Sequence, residues 1–366
     1  MNELNYVKEL VSIKSYSLTE NKQIIEYLKK VFEPNSQEIM VVNNKTNNKQ
    51  NILIGINTKL KNATDAIVLS GHIDTVVADE QNYKTNPYQA TEIDDKIYGL
   101  GVIDMKCYFG TILDNIKILK SCKKPVIVAI TSDEETEFDG VVNVVNKMRE
   151  LNIKSKFSLI GEPTNLTLCT AGKCCYEYQI DIEGKSCHSS NPANGVNANY
   201  VAANLILTIE DLNTKFKNTT MTCNVMSGGE KTNIVSGNAT MKFDLRTDNL
   251  ETTEKVETIL SQKIEELKLK YLGCNIQMRK CFTILPYNNF KSDKLIKQIE
   301  SELNLSTAYF QGGCEAGYYQ SLGGEALVFG CGDLSLAHKP NEFLEISKYN
   351  QYDKYFKKII FILEND

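Results

Sequence analysis

Three histidines occur in 366 residues, and two of them, His72 in GHIDT and His338 in LAHKPNEF, follow short apolar runs that break into polar sequence. Imidazole nitrogen and carboxylate oxygen are the donors of a hydrolytic zinc-type centre, and a pair of ions needs a carboxylate to share. Candidate carboxylates recur in similar settings. Asp104 lies in YGLGVIDMK, 32 residues after His72; Glu134 and Glu135 lie in TSDEETEFDG; and Glu162 lies in GEPT. Asp74, two residues beyond His72, can accept a hydrogen bond from the second ring nitrogen, which fixes the tautomer and raises ligand basicity. Gly99 and Gly101 permit a tight turn that presents Asp104. Adjacent side chains in an extended segment point in different directions, so one of Glu134 and Glu135 could bind metal while the other faces substrate. Each motif alone is commonplace: His-x-Asp occurs in surface turns, and an acidic run after a strand is normally a solvated loop. Their weight comes from occurring together.

The elements that must position them are legible in the apolar runs. NILIGI (residues 51–56), AIVLS (66–70), PVIVAIT (125–131), FSLI (157–160) and ALVF (326–329) are short and rich in Val and Ile, as strands buried on both faces are. Helical patterns lie between them, over 19–32 with Ile24, Ile25, Leu28 and Phe32 on one face, and over 108–119. This alternation predicts an α/β catalytic domain with a mostly parallel mixed sheet between helices, whose ligands bind beyond the strands' carboxyl ends. From about residue 173 to 283 the order becomes βαββαβ, each helix carrying one apolar stripe: Val201, Leu205, Ile209 and Leu212 on the first, Val256, Leu260, Ile264, Leu267 and Tyr271 on the second. That is a split-βαβ, ferredoxin-like α+β domain. It stands as an insertion, so residues 1–172 and 284–366 form the catalytic domain and 173–283 a dimerisation and lid domain.

Composition narrows the class. A net charge of −5 with lysines dispersed among Asn and Glu argues against nucleic acid. No apolar segment reaches the ~18 residues a membrane span needs. The N-terminal stretch reads as a short amphipathic helix (Leu4, Val7, Leu10, Val11) rather than a signal peptide, so a cytoplasmic protein is expected. Eleven scattered cysteines with no CxxC read as reduced, structural thiols.

In order and spacing, the five motifs resemble those of the M20-type two-metal peptidases and deacylases, the family of acetylornithine deacetylase, succinyl-diaminopimelate desuccinylase, aminoacylase and glutamate carboxypeptidase. The resemblance runs over essentially the whole chain. It implies that Asp104 bridges two divalent cations, with His72 and Glu162 completing one site and Glu135 and His338 the other. Zinc is the expected metal, and cobalt or manganese suit the same N/O donors. It implies that Glu134 is the general base, taking a proton from water and delivering one to the leaving amine. CHSSNPANGVNA resembles the segment whose histidine, here His188, reaches the active site of the partner subunit and stabilises the oxyanion, which implies a homodimer through the inserted domain. TNIVSG and FDLRT resemble the segments whose Asn and Arg, here Asn233 and Arg246, hold the substrate carboxylate; a planar guanidinium fork suits that task. GGCEA resembles the pocket-lining glycine-acid-alanine segment, with Glu315 as the acid.

The implied reaction is hydrolysis of the amide of a small N-acyl amino acid. N-acetylornithine, cleaved to ornithine and acetate in arginine biosynthesis, is the expected substrate, because Glu315 would suit the ornithine ammonium and GCGDLSLAHKPNEFLEI tilts the same way. A succinyl-diaminopimelate desuccinylase or metallodipeptidase is the alternative, and a non-catalytic dimeric binding protein a distant one. Two departures from the family pattern bear on loop geometry: Cys107 replaces the usual Gly after DMK, and Thr136-Glu137-Phe138 replace small residues after the Glu pair.

Overall fold

The Val- and Ile-rich runs become the centre of a nine-stranded mixed sheet in a computed structural model that describes residues 4–46, 48–288 and 293–366; residues 1–3 of the N-terminal segment lie outside the described residues. Val126–Thr131, Ala66–His72, Ser155–Ile160 and Glu325–Val328 lie side by side and parallel. Every residue of the first two is buried, the setting in which β-branched side chains pack best. Antiparallel strands flank this centre: Gln50–Gly55 and Glu38–Asn43 on one side, Leu168–Gly172 and Tyr287–Asn288 on the other. The chain is therefore α/β as expected, with a parallel centre and antiparallel flanks, on one of which Thr307–Phe310 runs parallel to Leu168–Gly172. The register pairs His72 with Thr131, so the GHIDT and SDEE turns leave neighbouring strands side by side.

Helix Lys22–Phe32 buries Ile24, Ile25, Leu28 and Phe32, and helix Asn5–Ser12 buries Val7, Leu10 and Val11. The single helix expected over 108–119 is instead two, Cys107–Asp114 and Ile116–Ser121. Asn115 supplies the reason. Its side-chain amide donates to the Thr111 carbonyl at 2.9 Å and to Asp353 Oδ1 at 2.6 Å, competing with the helical ladder at the join. Helix Ile346–Asn365 and a small sheet of Phe343–Glu345, Lys96–Tyr98 and Thr91–Ile93 complete what matters for the site; neither was apparent from the apolar runs.

The chain forms two compact units, Met1–Gly172 with Tyr287–Asp366, and Lys173–Pro286. In the second, strands Cys175–Glu183, Thr220–Gly228, Asn238–Arg246 and Asn275–Ile284 make one antiparallel sheet. Helices Ala198–Leu212 and Leu250–Lys270 share a core with it, Val201, Leu205, Val256 and Leu260 packing with Ile180, Met241 and Phe243. Among the described residues no helix is long and apolar enough to cross a membrane.

Candidate metal centre

Asp104 sits between two imidazoles. Its Oδ1 is 3.0 Å from His72 Nε2, and its Oδ2 is 3.3 Å from His338 Nε2. Around this axis the first unit gathers two sets of donor atoms, each mutually within 4.8 Å: His72, Asp104 and Glu162, and Asp104, Glu135 and His338. Glu135 Oε2 lies 2.8 Å from His338 Nε2, and Glu162 Oε1 lies 3.9 Å from His72 Nε2. Glu134 belongs to neither set, yet its Oε2 is 3.9 Å from His72 Nε2.

Each donor is held by local structure. His72 ends the buried strand Ala66–His72 and is wholly buried. Asp104 follows a turn at Gly101, whose φ of +72° and lack of a Cβ are both required: a Cβ there would meet Thr75 Cγ2 at 2.5 Å. Glu342 binds that turn from below, accepting from the N–H groups of Gly101 and Ile103 at 2.8 Å each, while its own carbonyl accepts from Gly99. One residue thus joins the His338 loop to the Asp104 loop, and no spacing in the sequence singled it out. His338 itself has φ +59°, a conformation costly for a side-chain-bearing residue and typical of functional loops.

The electrostatics test whether cations suit this donor set. Burial, reinforced by the neighbouring carboxylates, pushes Glu134 and Glu162 well above the usual carboxylate range and raises Glu135, the imidazoles only partly offsetting it. Asp104 goes the other way: burial opposes its charge, but bonds from His338 and His72 outweigh that and hold it low. Bonds from Asp104 and Glu135 raise His338 to about 10. Glu162 Oε1 is buried with no hydrogen-bond partner. Four converging carboxylates, two imidazoles and an orphaned carboxylate oxygen form a set that divalent cations would satisfy.

One expectation needs correction and another is refined. Asp74 accepts from the second ring nitrogen of His72 as expected, but through its main-chain carbonyl, 2.9 Å from Nδ1, with carboxylate Oδ1 at 3.6 Å. The Asp74 carboxylate accepts mainly from the Ser17 hydroxyl at 2.7 Å and from the N–H groups of Glu134 and Glu135 at 3.3 and 3.2 Å. Glu315 was expected to face substrate. It is fully buried, and its two oxygens accept from Ser70 Oγ and Thr131 Oγ1, tying together the two strands that end in His72 and Thr131. Burial raises its carboxyl to about 7. The departures from the family pattern are accommodated: Cys107 is buried against Cys331 with the sulfurs 3.3 Å apart, and Phe138 packs on Tyr318.

The remaining candidates lie in the second unit. His188 pairs with Ile234 in an isolated bridge, and Ser189 N–H donates to the Asn233 carbonyl at 3.0 Å, so His188 and Asn233 share one patch of backbone. His188 is exposed, its Nδ1 2.7 Å from Ser190 Oγ. Arg246 ends the strand Asn238–Arg246, and its fork engages Asp244 at 3.1 and 3.4 Å.

Residues 68–361 match the profile of Peptidase family M20/M25/M40. An acetylornithine deacetylase of Buchnera aphidicola (subsp. Schizaphis graminum) is 30% identical over 353 residues, covering 93% of this chain and 91% of that protein. A tripeptidase from Staphylococcus aureus shares the fold with a TM-score of 0.79 at 21% identity, covering 100% of this chain and 98% of that one. A dinuclear metal-binding peptidase of the M20 family from Bacillus subtilis does so with a TM-score of 0.70 at 16% identity, over 99% and 98%.

Proposed function

This chain belongs to peptidase family M20/M25/M40, a family of hydrolases, and on that premise we propose that it cleaves the amide bond of an N-acyl amino acid, N-acetylornithine in particular. The observation that carries the reaction type is Asp104 set between His72 and His338, with Glu134 beside them and outside both donor sets. His72, Asp104 and Glu162 would hold one divalent cation, and Asp104, Glu135 and His338 a second, with zinc the metal we favour for these N/O donors. When bound, such a pair lowers the pKa of water and polarises the amide carbonyl.

Glu134 is the general base. Its carboxylate takes the proton of the attacking water and returns one to the departing nitrogen. Asp74 holds the main chain of both glutamates, so Glu134 is aimed by its backbone as much as by its rotamer. In the second unit, Arg246 and Asn233 bind the substrate carboxylate and His188 stabilises the oxyanion of a neighbouring subunit in a homodimer; we place the enzyme in the cytoplasm. The choice of N-acetylornithine rests on the Buchnera relative. It no longer draws on Glu315, which is spent on Ser70 and Thr131. A panel of N-acetylornithine, N-acetylcitrulline, N-succinyl-diaminopimelate and simple dipeptides on zinc-loaded protein tests the assignment. N-acetylornithine is expected to have the highest kcat/KM; preference for the succinyl substrate would overturn the substrate while sparing the reaction class.

A further inference from the structure

We propose that Lys49 is the positioning residue of Glu134, because it closes a ring of hydrogen bonds behind the acidic pair. The inference rests on Glu134 acting as the general base. Lys49 ends the loop between strands Glu38–Asn43 and Gln50–Gly55, far in sequence from every candidate donor, and its side chain is 10% exposed. Its ammonium donates to two acceptors, the Ser17 carbonyl and Asp133 Oδ1.

From these two acceptors separate routes lead to Glu134. Asp133 precedes it in the chain. Through Ser17 the route crosses side chains: the Ser17 hydroxyl donates to Asp74 Oδ2 at 2.7 Å, with the Thr75 carbonyl farther away at 3.3 Å, and Asp74 accepts from the N–H groups of Glu134 and Glu135. Lys49, Asp133, Glu134, Asp74 and Ser17 therefore form a closed circuit. Every side chain in it is nine-tenths buried or more.

The chemistry explains why a lysine stands there. An ammonium carries three donors on one atom and can join acceptors from separate segments, which no neutral side chain of that reach does. The joint acts at Asp133, whose φ of +63° is left-handed, a conformation aspartate adopts more readily than most residues and one that neighbouring bonds hold. Asn44 Nδ2 donates to Asp133 Oδ2 at 2.7 Å, the Asp133 carbonyl accepts from Phe138 N–H at 2.7 Å, and Asn51 Oδ1 accepts from Ser132 N–H at 2.9 Å. Lys49 belongs to neither donor set; the circuit holds the main chain of Glu135 as well as that of Glu134, so the kinetics are read with zinc saturating.

The test is a double-mutant cycle on the full-length, zinc-loaded protein, using whichever substrate of the panel is hydrolysed fastest. Lys49→Met is expected to lower kcat by ~100-fold, the scale of an ångström misplacement, with KM unchanged on zinc-saturated protein. In a Glu134→Ala background the same change should alter the residual rate by less than about 2-fold, because the group it positions is gone. Equal losses in both backgrounds, or an unchanged kcat, would overturn the role. Should Lys49→Met fail to fold, Ser17→Ala breaks the circuit at its other side and is expected to lower kcat ~10-fold only when Glu134 is present; an unchanged kcat in that variant would equally overturn it. Full activity of Glu134→Ala would instead overturn the general-base reading, a separate failure.

Discussion

The two units hold their functional candidates in opposite ways. In the first, His72, Asp104, Glu135 and Glu162 are buried or nearly so, with only His338 of the donors half-exposed, and the turns that carry them are tied by Glu342, Asp74 and Glu315. In the second, His188, Asn233 and Arg246 are exposed and engage only near neighbours, as Arg246 does with Asp244. The contrast teaches that a donor set for cations must be built before its occupants arrive, against the repulsion among its own carboxylates, and so needs a rigid frame. Groups that meet a transient substrate can stay solvated until used. Damage to the donors or to Glu315 should therefore reach metal affinity or stability, whereas damage in the second unit should reach turnover alone.

The largest effect is expected at Asp104. It belongs to both donor sets, so Asp104→Asn weakens both at once, and metal affinity should fall by more than the ~100-fold that outer partners can cost. Activity should drop to background and resist rescue by added zinc, whereas wild-type protein stripped with a chelator should recover on zinc addition. Metal analysis beside activity decides it. Recovery of the variant at micromolar zinc would mean that the two sets are independent.

A paired comparison sharpens the contrast at a smaller scale. Glu315→Ala leaves the Ser70 hydroxyl buried without its carboxylate acceptor, at ~1–3 kcal/mol for an unsatisfied group, while Thr131 keeps the Gly71 carbonyl, so thermal or denaturant unfolding should register the loss. Arg246→Lys should leave stability within ~0.5 kcal/mol, as at other exposed positions. It should lower kcat/KM by ~10- to 100-fold, the worth of a charge-assisted bond that a point charge cannot reproduce. If Arg246→Lys destabilises the protein as much as Glu315→Ala, the two units are not built on different principles.

How much of this could be read from the sequence follows from the range of the interactions. The central strands and the βαββαβ order of the second unit were legible because apolar periodicity is local. His72, Asp104, Glu135, Glu162 and His338 stood out because each follows an apolar run or a glycine turn and all five are donor types. Glu342 and Lys49 did not, because what marks them is contact with groups scores of residues away, between segments whose approach only the fold decides. Asn115 looked like any polar residue on a helix until Asp353, from another helix, gave its amide a competing partner. Glu315 was found as a residue but misread in role. Composition gives a carboxylate's presence, and only geometry says whether its oxygens are already taken.

The central claim is that Glu134 does chemistry and Glu135 holds metal, although the two are adjacent and alike. Measuring bound metal and kcat together on Glu134→Gln tests it most directly. The account predicts full metal content with kcat reduced ~100- to 10,000-fold, the range of a lost general base. Loss of metal on that substitution, or turnover retained with metal bound, would contradict it.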